Sequence, residues 1–165
     1  MNRFIIETTP EKISQSLCDQ HIVKMPLEET QMLCSAIWHH APDFAEKKNL
    51  YKPVHTKHPC TIWVRETRDN FLFAWNLARC MFAEYTIRYK RIHNSRKLLL
   101  PLIVGSRFIP NGKMTKHPQC FSKHDDLKTD EFFPIKAYRN FYIKDKLRFA
   151  RYNFSERPEW FKEVS

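Results

Sequence analysis

The 165-residue sequence predicts an all-α fold, a compact single domain over residues 1–165 with about three main helices and long proline-rich loops. Three observations carry this. Apolar residues recur at helical intervals in three separate stretches, and no convincing run alternates as a strand does. Ten prolines against 2 glycines make proline the main interrupter of regular structure. A chain of this length can bury a core without disulfides or metal.

The first helix is expected from Asp19 to His40, where Ile22, Met25, Leu33, Ala36 and Ile37 share a face and Asp19 supplies an N-cap. Pro26 either kinks that helix or starts it as a first-turn residue. Residues 41–60 contain three prolines and read as a loop. Thr61 to about Arg91 is the clearest helix: Phe71, Ala74, Trp75, Ala78, Met81, Phe82 and Tyr85 form its apolar stripe, with Arg65, Arg68, Arg79 and Arg88 largely off it. Between residues 93 and 132, Pro101, Pro110, Gly112 and Pro118 break any long element, and the run "LLLPLIV" at 98–104 is expected to be buried. A last helix from about Pro134 to Tyr152 turns Tyr138, Phe141, Tyr142 and Leu147 inward. Lys136, Arg139, Lys144, Lys146, Arg148 and Arg151 face mostly outward.

Charge narrows the function classes. The formal net charge is +10 and the pI near 9.5, so a polyanion is the expected partner, nucleic acid before membrane. No secretory leader and no transmembrane run of about 18 apolar residues is visible, which points to a cytoplasmic protein, in the host cytoplasm if the source is viral. Five cysteines without a repeating spacing (Cys18, Cys34, Cys60, Cys80, Cys120) read as free, mostly buried thiols. The basic face of the last helix, including Arg148 and Arg151, with Lys123, Lys128 and Lys162 near it in sequence, would neutralise phosphates and make affinity fall with salt. The bland alternative is a solvated basic helix.

The segment "CDQHIVKMPLEE" gathers His21, Lys24 and Glu28 at steps of three, four and seven, which on an unbroken helix is one face. If Pro26 starts the helix instead, Glu28 lies in a first turn, where the helix dipole favours a carboxylate. The plain reading of this spacing is a solvated Lys24 to Glu28 pair worth a few tenths of a kcal/mol.

A resemblance gives the segment a sharper meaning. Met1-Asn2-Arg3, then Asp19-Gln20-His21, then Glu28 seven residues after the histidine, resemble the opening of the phage-type pyrimidine dimer DNA glycosylases, the endonuclease V family of T-even phages. "HPCTIWVRE" at 58–66 is similar to that family's His-x-x-Thr-aromatic segment, and "RPEWFK" at 157–162 to its closing Arg-Pro-x-Trp-aromatic-Lys. The three matches fall in the family's order and cover most of the chain.

The resemblance implies a base-excision repair enzyme acting on double-stranded damaged DNA, a DNA glycosylase with abasic-site lyase activity that works as a monomer without cofactor or metal. Its nucleophile would be the N-terminal amine, which attacks the sugar C1′, displaces the base and forms a Schiff base that permits β-elimination. An α-amine, with an ordinary pKa of about 7.7 to 8.0, suits this role better than a lysine near 10.4. Positive charge from Arg3 and His21 would lower it further. By position Glu28 is the catalytic carboxylate, while Arg3 and His21 shape the site and contact the damaged strand. Lys24 and His58 are further DNA contacts, and Trp160, Phe161 and Lys162 match the damage-contacting end of the chain. Residue 2 departs from the family's threonine: Asn2 is larger than the small second residues that favour removal of the initiator, so the attacking amine is on Met1 or on Asn2. The damaged base is left open, pyrimidine dimer or another lesion.

Two competing readings use the same residues. His55, His58 and Cys60 in "HTKHPC", with His117 and Cys120 in "HPQC", offer a mixed His/Cys zinc set, although the spacing matches no standard finger. A DNA-binding accessory protein without catalysis is the other. The rings at 160 and 161 then serve as a hydrophobic latch.

Overall fold

A computed structural model describes residues 2–162 and is helical throughout, with no strand among the described residues. Eight α-helices follow in order: α1 (Pro10–Ser16), α2 (Asp19–His40), α3 (Pro42–Lys47), α4 (Pro59–Glu66), α5 (Arg68–Tyr89), α6 (Leu99–Gly105), α7 (Ile135–Lys146) and α8 (Glu159–Lys162), with three short 3-10 turns besides. The expectation of about three main helices is thus corrected. Three long helices are present, α2 and α5 with 22 residues each and α7 with 12, and five short ones fill stretches expected as loop or as parts of longer helices.

Most of the difference lies in how proline acts. Pro10, Pro42 and Pro59 each occupy the first turn of a helix, where the missing N–H is no loss, so α3 and α4 begin inside the stretch read as a loop. The helix expected from Thr61 to Arg91 is two helices. Thr67 is extended and its hydroxyl accepts from the Asn70 amide, capping α5 and ending α4. α2 has the expected limits, but its N-cap is Cys18, and Asp19 is its first residue. Pro26 stays inside the helix, leaving the Ile22 carbonyl without its partner four residues on.

α2 packs on α5, and the two helices carry a pair of core clusters. One cluster joins both ends of the chain: Phe4, Ile5 and Ile6 meet Ile22 and Met25 of α2, Leu77 and Met81 of α5, Tyr138, Phe141 and Tyr142 of α7, and Phe161 of α8. The other joins Met32 to Ile37 of α2 with α3, α4, the first half of α5 and Leu102 of α6. The run at 98–104 is only half buried, with Leu98 and Leu102 inside and Leu100 and Val104 facing out. Arg88, expected off the stripe of α5, is buried. Its guanidinium binds Glu84, Asp19 and the carbonyls of Leu17 and Gln15, and so ties α5 to the turn before α2.

Candidate functional site

The chain begins as an extended segment laid across α2. Arg3 is 1% exposed, and its Nε donates to both carboxylate oxygens of Glu29, at 2.9 and 3.0 Å, while Nη2 also contacts Glu29. The guanidinium lies over the Trp63 ring, 4.9 Å from its centroid. Burial raises the Glu29 carboxyl pKa and Arg3 pulls it down, and the pair's geometry is that of an ion pair. A buried pair of this kind adds little net stability but fixes position, because either partner alone would be a stranded charge. The position it fixes is the chain start: residue 2 is next to Arg3, and Glu28 is next to Glu29. As a direct DNA contact Arg3 is corrected, since its side chain is enclosed.

Asn2 is anchored independently. Its Nδ2 donates to the Cys120 carbonyl (3.0 Å), and its Oδ1 accepts from the Arg3 amide (2.8 Å) and lies 3.3 Å from the Tyr138 hydroxyl oxygen. Met1 lies outside the described residues. Glu28 sits on α2 with its side chain 12% exposed, 3.1 Å from the Nζ of Lys24, whose own side chain is 68% exposed. The i,i+4 pair is therefore formed, with its carboxylate much less solvated than the plain reading supposed.

His21 is enclosed on the same helix. It stacks on Phe4 (centroids 4.7 Å apart), and its Nδ1 is 2.7 Å from the Tyr142 hydroxyl, which accepts from the Cys18 amide at 3.0 Å. The ring and the hydroxyl share a hydrogen bond whose direction follows the histidine tautomer. Burial first, then Lys146 and Lys24, hold its pKa down to about 3. His21 therefore supplies no positive charge to depress a nearby amine, which corrects the role given it above; it supports the packing around Phe4 instead.

The zinc candidates divide. His58, Cys60 and Cys120 converge, with one donor atom of each within 4.8 Å of the others. The two sulfurs are 3.4 Å apart, and the His58 Nδ1 accepts from the Cys60 amide as the N-cap of α4 (3.2 Å). That capping contact gives His58 a structural task, and the residue is half-exposed. His55 takes a left-handed backbone (φ 48°) and stays outside the cluster. His117 is buried between Trp63 and Tyr138, with both ring nitrogens lacking a hydrogen bond, and burial drives its pKa well below the ordinary value. Cys60 holds its proton tightly because it shares it with the Cys120 sulfur, and burial adds to this.

At the other end of the chain, Phe161 is fully buried among Tyr142, Tyr152 and Trp160, so its expected contact with damaged DNA is corrected to that of a core latch. The Trp160 Nε1 donates to Glu7 (2.8 Å), and Arg139 bonds the Ile6 carbonyl and Glu7. These contacts hold α7 and α8 against the N-terminal segment. Lys162 is exposed and pairs with Glu159 at 2.6 Å. Arg148 and Arg151 are exposed, as a phosphate contact requires. α7 ends at Lys146, before either of them, and Arg151 instead joins α2 through its carbonyl, which accepts from the Asp19 amide (2.8 Å). The hydroxyl of Tyr138 and the carboxylate of Glu29 had no place in the sequence reading. Their partners lie 18 to 136 positions away, where no periodicity reaches.

Of the histidines whose pKa burial lowers, His21 and His117 are the most enclosed, and they make stability depend on pH. Each binds a proton near pH 6.5 in the unfolded chain and not in the fold, so acid favours unfolding below that value, until the folded pKa is reached. Stability is therefore expected to fall as the pH drops from 6 to 5. Urea unfolding of His21→Phe across that range is expected to show a clearly shallower slope. An unchanged slope would mean that His21 is already protonated in the fold.

Compared with protein-family models, curated proteins and solved structures, the chain matches none.

Proposed function

We propose that this protein is a base-excision repair enzyme of the phage pyrimidine dimer glycosylase type, acting as a DNA glycosylase and abasic-site lyase on a pyrimidine dimer or another damaged base. The observation that supports this best is the buried Arg3–Glu29 pair, which pins the start of the chain to the turn of α2 that carries Glu28. An α-amine one or two residues before Arg3 lies within about 8 Å of its Cα, since consecutive Cα atoms are about 3.8 Å apart. The amine is thus joined by a short stretch of chain to a segment held at the turn that carries Glu28.

In the reaction the neutral amine attacks C1′ as the damaged base leaves with the glycosidic electron pair. Glu28 accepts one proton from the amine nitrogen, and the C1′–O4′ bond of the sugar then opens as that proton is passed to O4′, which leaves a protonated imine between the nitrogen and C1′. The same carboxylate stabilises the positive charge that develops on the sugar before the bond to nitrogen is complete. The imine acidifies C2′, and β-elimination then expels the 3′ phosphate. Phosphate neutralisation comes from exposed cations, Lys24, Arg148 and Arg151 among them, in keeping with a chain of net charge +10. Base extrusion needs no motor, because damage that weakens stacking lowers its cost.

Mixing the purified full chain with a duplex bearing one cyclobutane dimer, or one abasic site, in the presence of borohydride tests this. A covalent protein–DNA band with either duplex is expected. A protein that binds both duplexes and leaves no band with either is the non-catalytic accessory factor instead.

A further inference from the structure

The three donors at His58, Cys60 and Cys120 come from two parts of the chain that are otherwise unrelated. His58 and Cys60 flank Pro59 at the start of α4, and the backbone there is set by the His58 amide, which donates to the His55 carbonyl at 2.9 Å. Cys120 arrives from the irregular segment after α6, fixed at both of its backbone groups. Its amide donates to the Tyr138 hydroxyl (3.3 Å), and its carbonyl accepts from Asn2 (3.0 Å). The Tyr138 hydroxyl in turn donates to the Pro118 carbonyl at 2.8 Å. The sulfur of Cys120 is thus brought to that of Cys60 by a framework that does not depend on any bond between them.

We propose that these residues form a zinc-class metal site, a site for a thiophilic divalent cation with two thiolates and one imidazole as ligands. In a tetrahedral zinc site, with Zn–S about 2.3 Å and Zn–N about 2.0 to 2.1 Å, neighbouring donors stand about 3.3 to 3.8 Å apart. The sulfurs, at 3.4 Å, need only separate by a few tenths of an ångström to reach the S–S edge of about 3.8 Å that Zn–S bonds of about 2.3 Å require. The remaining edges, none longer than 4.8 Å, close by rotation of the imidazole. Two sulfurs and a nitrogen select zinc over magnesium or calcium, which prefer oxygen. Two thiolates also balance the charge of the ion, so its burial beside the neutralised Arg3–Glu29 pair leaves no net charge.

Loading releases the protons that the two sulfurs hold and takes the imidazole from its capping contact with the Cys60 amide. With three protein ligands, the fourth position stays open to water or to an oxygen or nitrogen of a ligand. Because Asn2 bonds the carbonyl of Cys120, a bound ion fastens residue 2 as well as the segment around Pro118. The sequence pointed to no metal or cofactor as the primary reading, so this site is an addition to the chemistry proposed above and does not rest on it.

The test is equilibrium dialysis of the reduced full chain against zinc chloride, with elemental analysis, repeated with cobalt(II) to read thiolate-to-metal absorption. One equivalent is expected, with cobalt bands of tetrahedral thiolate type. Cys120→Ser is expected to weaken binding at least tenfold, and Cys34→Ser, buried elsewhere, to leave it unchanged. If Cys120→Ser fails to fold, as judged by circular dichroism, the half-exposed His58→Ala carries the same expectation. Substoichiometric uptake, uptake that neither variant weakens, or a Cys60–Cys120 disulfide in place of metal in the reduced chain would overturn the proposal.

Discussion

Replacing Arg3 by methionine is expected to cost the fold about 3 to 5 kcal/mol, the penalty for stranding a buried carboxylate. Glu29 is 1% exposed, and among the described residues its carboxylate is held by Arg3, so removing the guanidinium leaves a buried carboxylate without that donor. The reciprocal change, Glu29→Gln, strands the cation and is expected to cost a similar amount. The double variant Arg3→Met with Glu29→Met fills the same space without charge and is expected to recover most of the loss, because an apolar replacement of a whole buried pair is close to neutral. Urea unfolding of the three variants reads these differences. Arg3→Met within 1 kcal/mol of the parent chain would mean that the pair is hydrated in solution and does not pin the chain start.

Glu28→Gln is expected to behave in the opposite way, with stability nearly intact and chemistry lost. Its pair with Lys24 is an i,i+4 contact to a largely exposed ammonium, and glutamine keeps the shape of the side chain and a carbonyl oxygen to accept with. Loss of a positioned acid-base carboxylate typically slows a reaction by about 100- to 10,000-fold. Single-turnover cleavage of an abasic duplex is therefore expected to slow by at least 100-fold, while affinity for the duplex holds or rises as a negative charge is removed. Lys24→Ala separates the two roles on this helix: the contact between Lys24 and Glu28 goes, the carboxylate stays, and the rate is expected to remain within a few-fold of the parent. A Glu28→Gln variant that cleaves at the parent rate removes Glu28 from the reaction.

Much of the helical framework was legible because it is local. The limits of α2 follow from the spacing of Ile22, Met25, Leu33 and Ile37, and the inward face of α7 from Tyr138, Phe141 and Tyr142. What was misread locally had a signal: Thr67 three residues before Asn70 is a capping pattern, and Pro42 and Pro59 stand at helix starts, where proline fits, although they were taken as interruptions. Long-range polar pairing had no such signal. Arg88 reads as a solvent-facing basic residue until Asp19, 69 positions away, is placed beside it, and Arg3 reads as a DNA contact until Glu29 is. At the site, Glu28 and the N-terminal residues were found by resemblance, whereas the carboxylate that positions them is its neighbour. The cysteines show the same division: their number and compartment suggested free thiols, and all five are unpaired, but only the fold brings Cys60 to Cys120.

Peptide mapping by mass spectrometry of the borohydride-reduced protein–DNA adduct tests the central claim most directly, because it names the atom that attacked. The account predicts a single modified peptide, the N-terminal one, with the sugar remnant on the α-amine of Met1 or of Asn2 and no adduct in Glu28→Gln. An adduct on the side chain of Lys24 or any other lysine would contradict it.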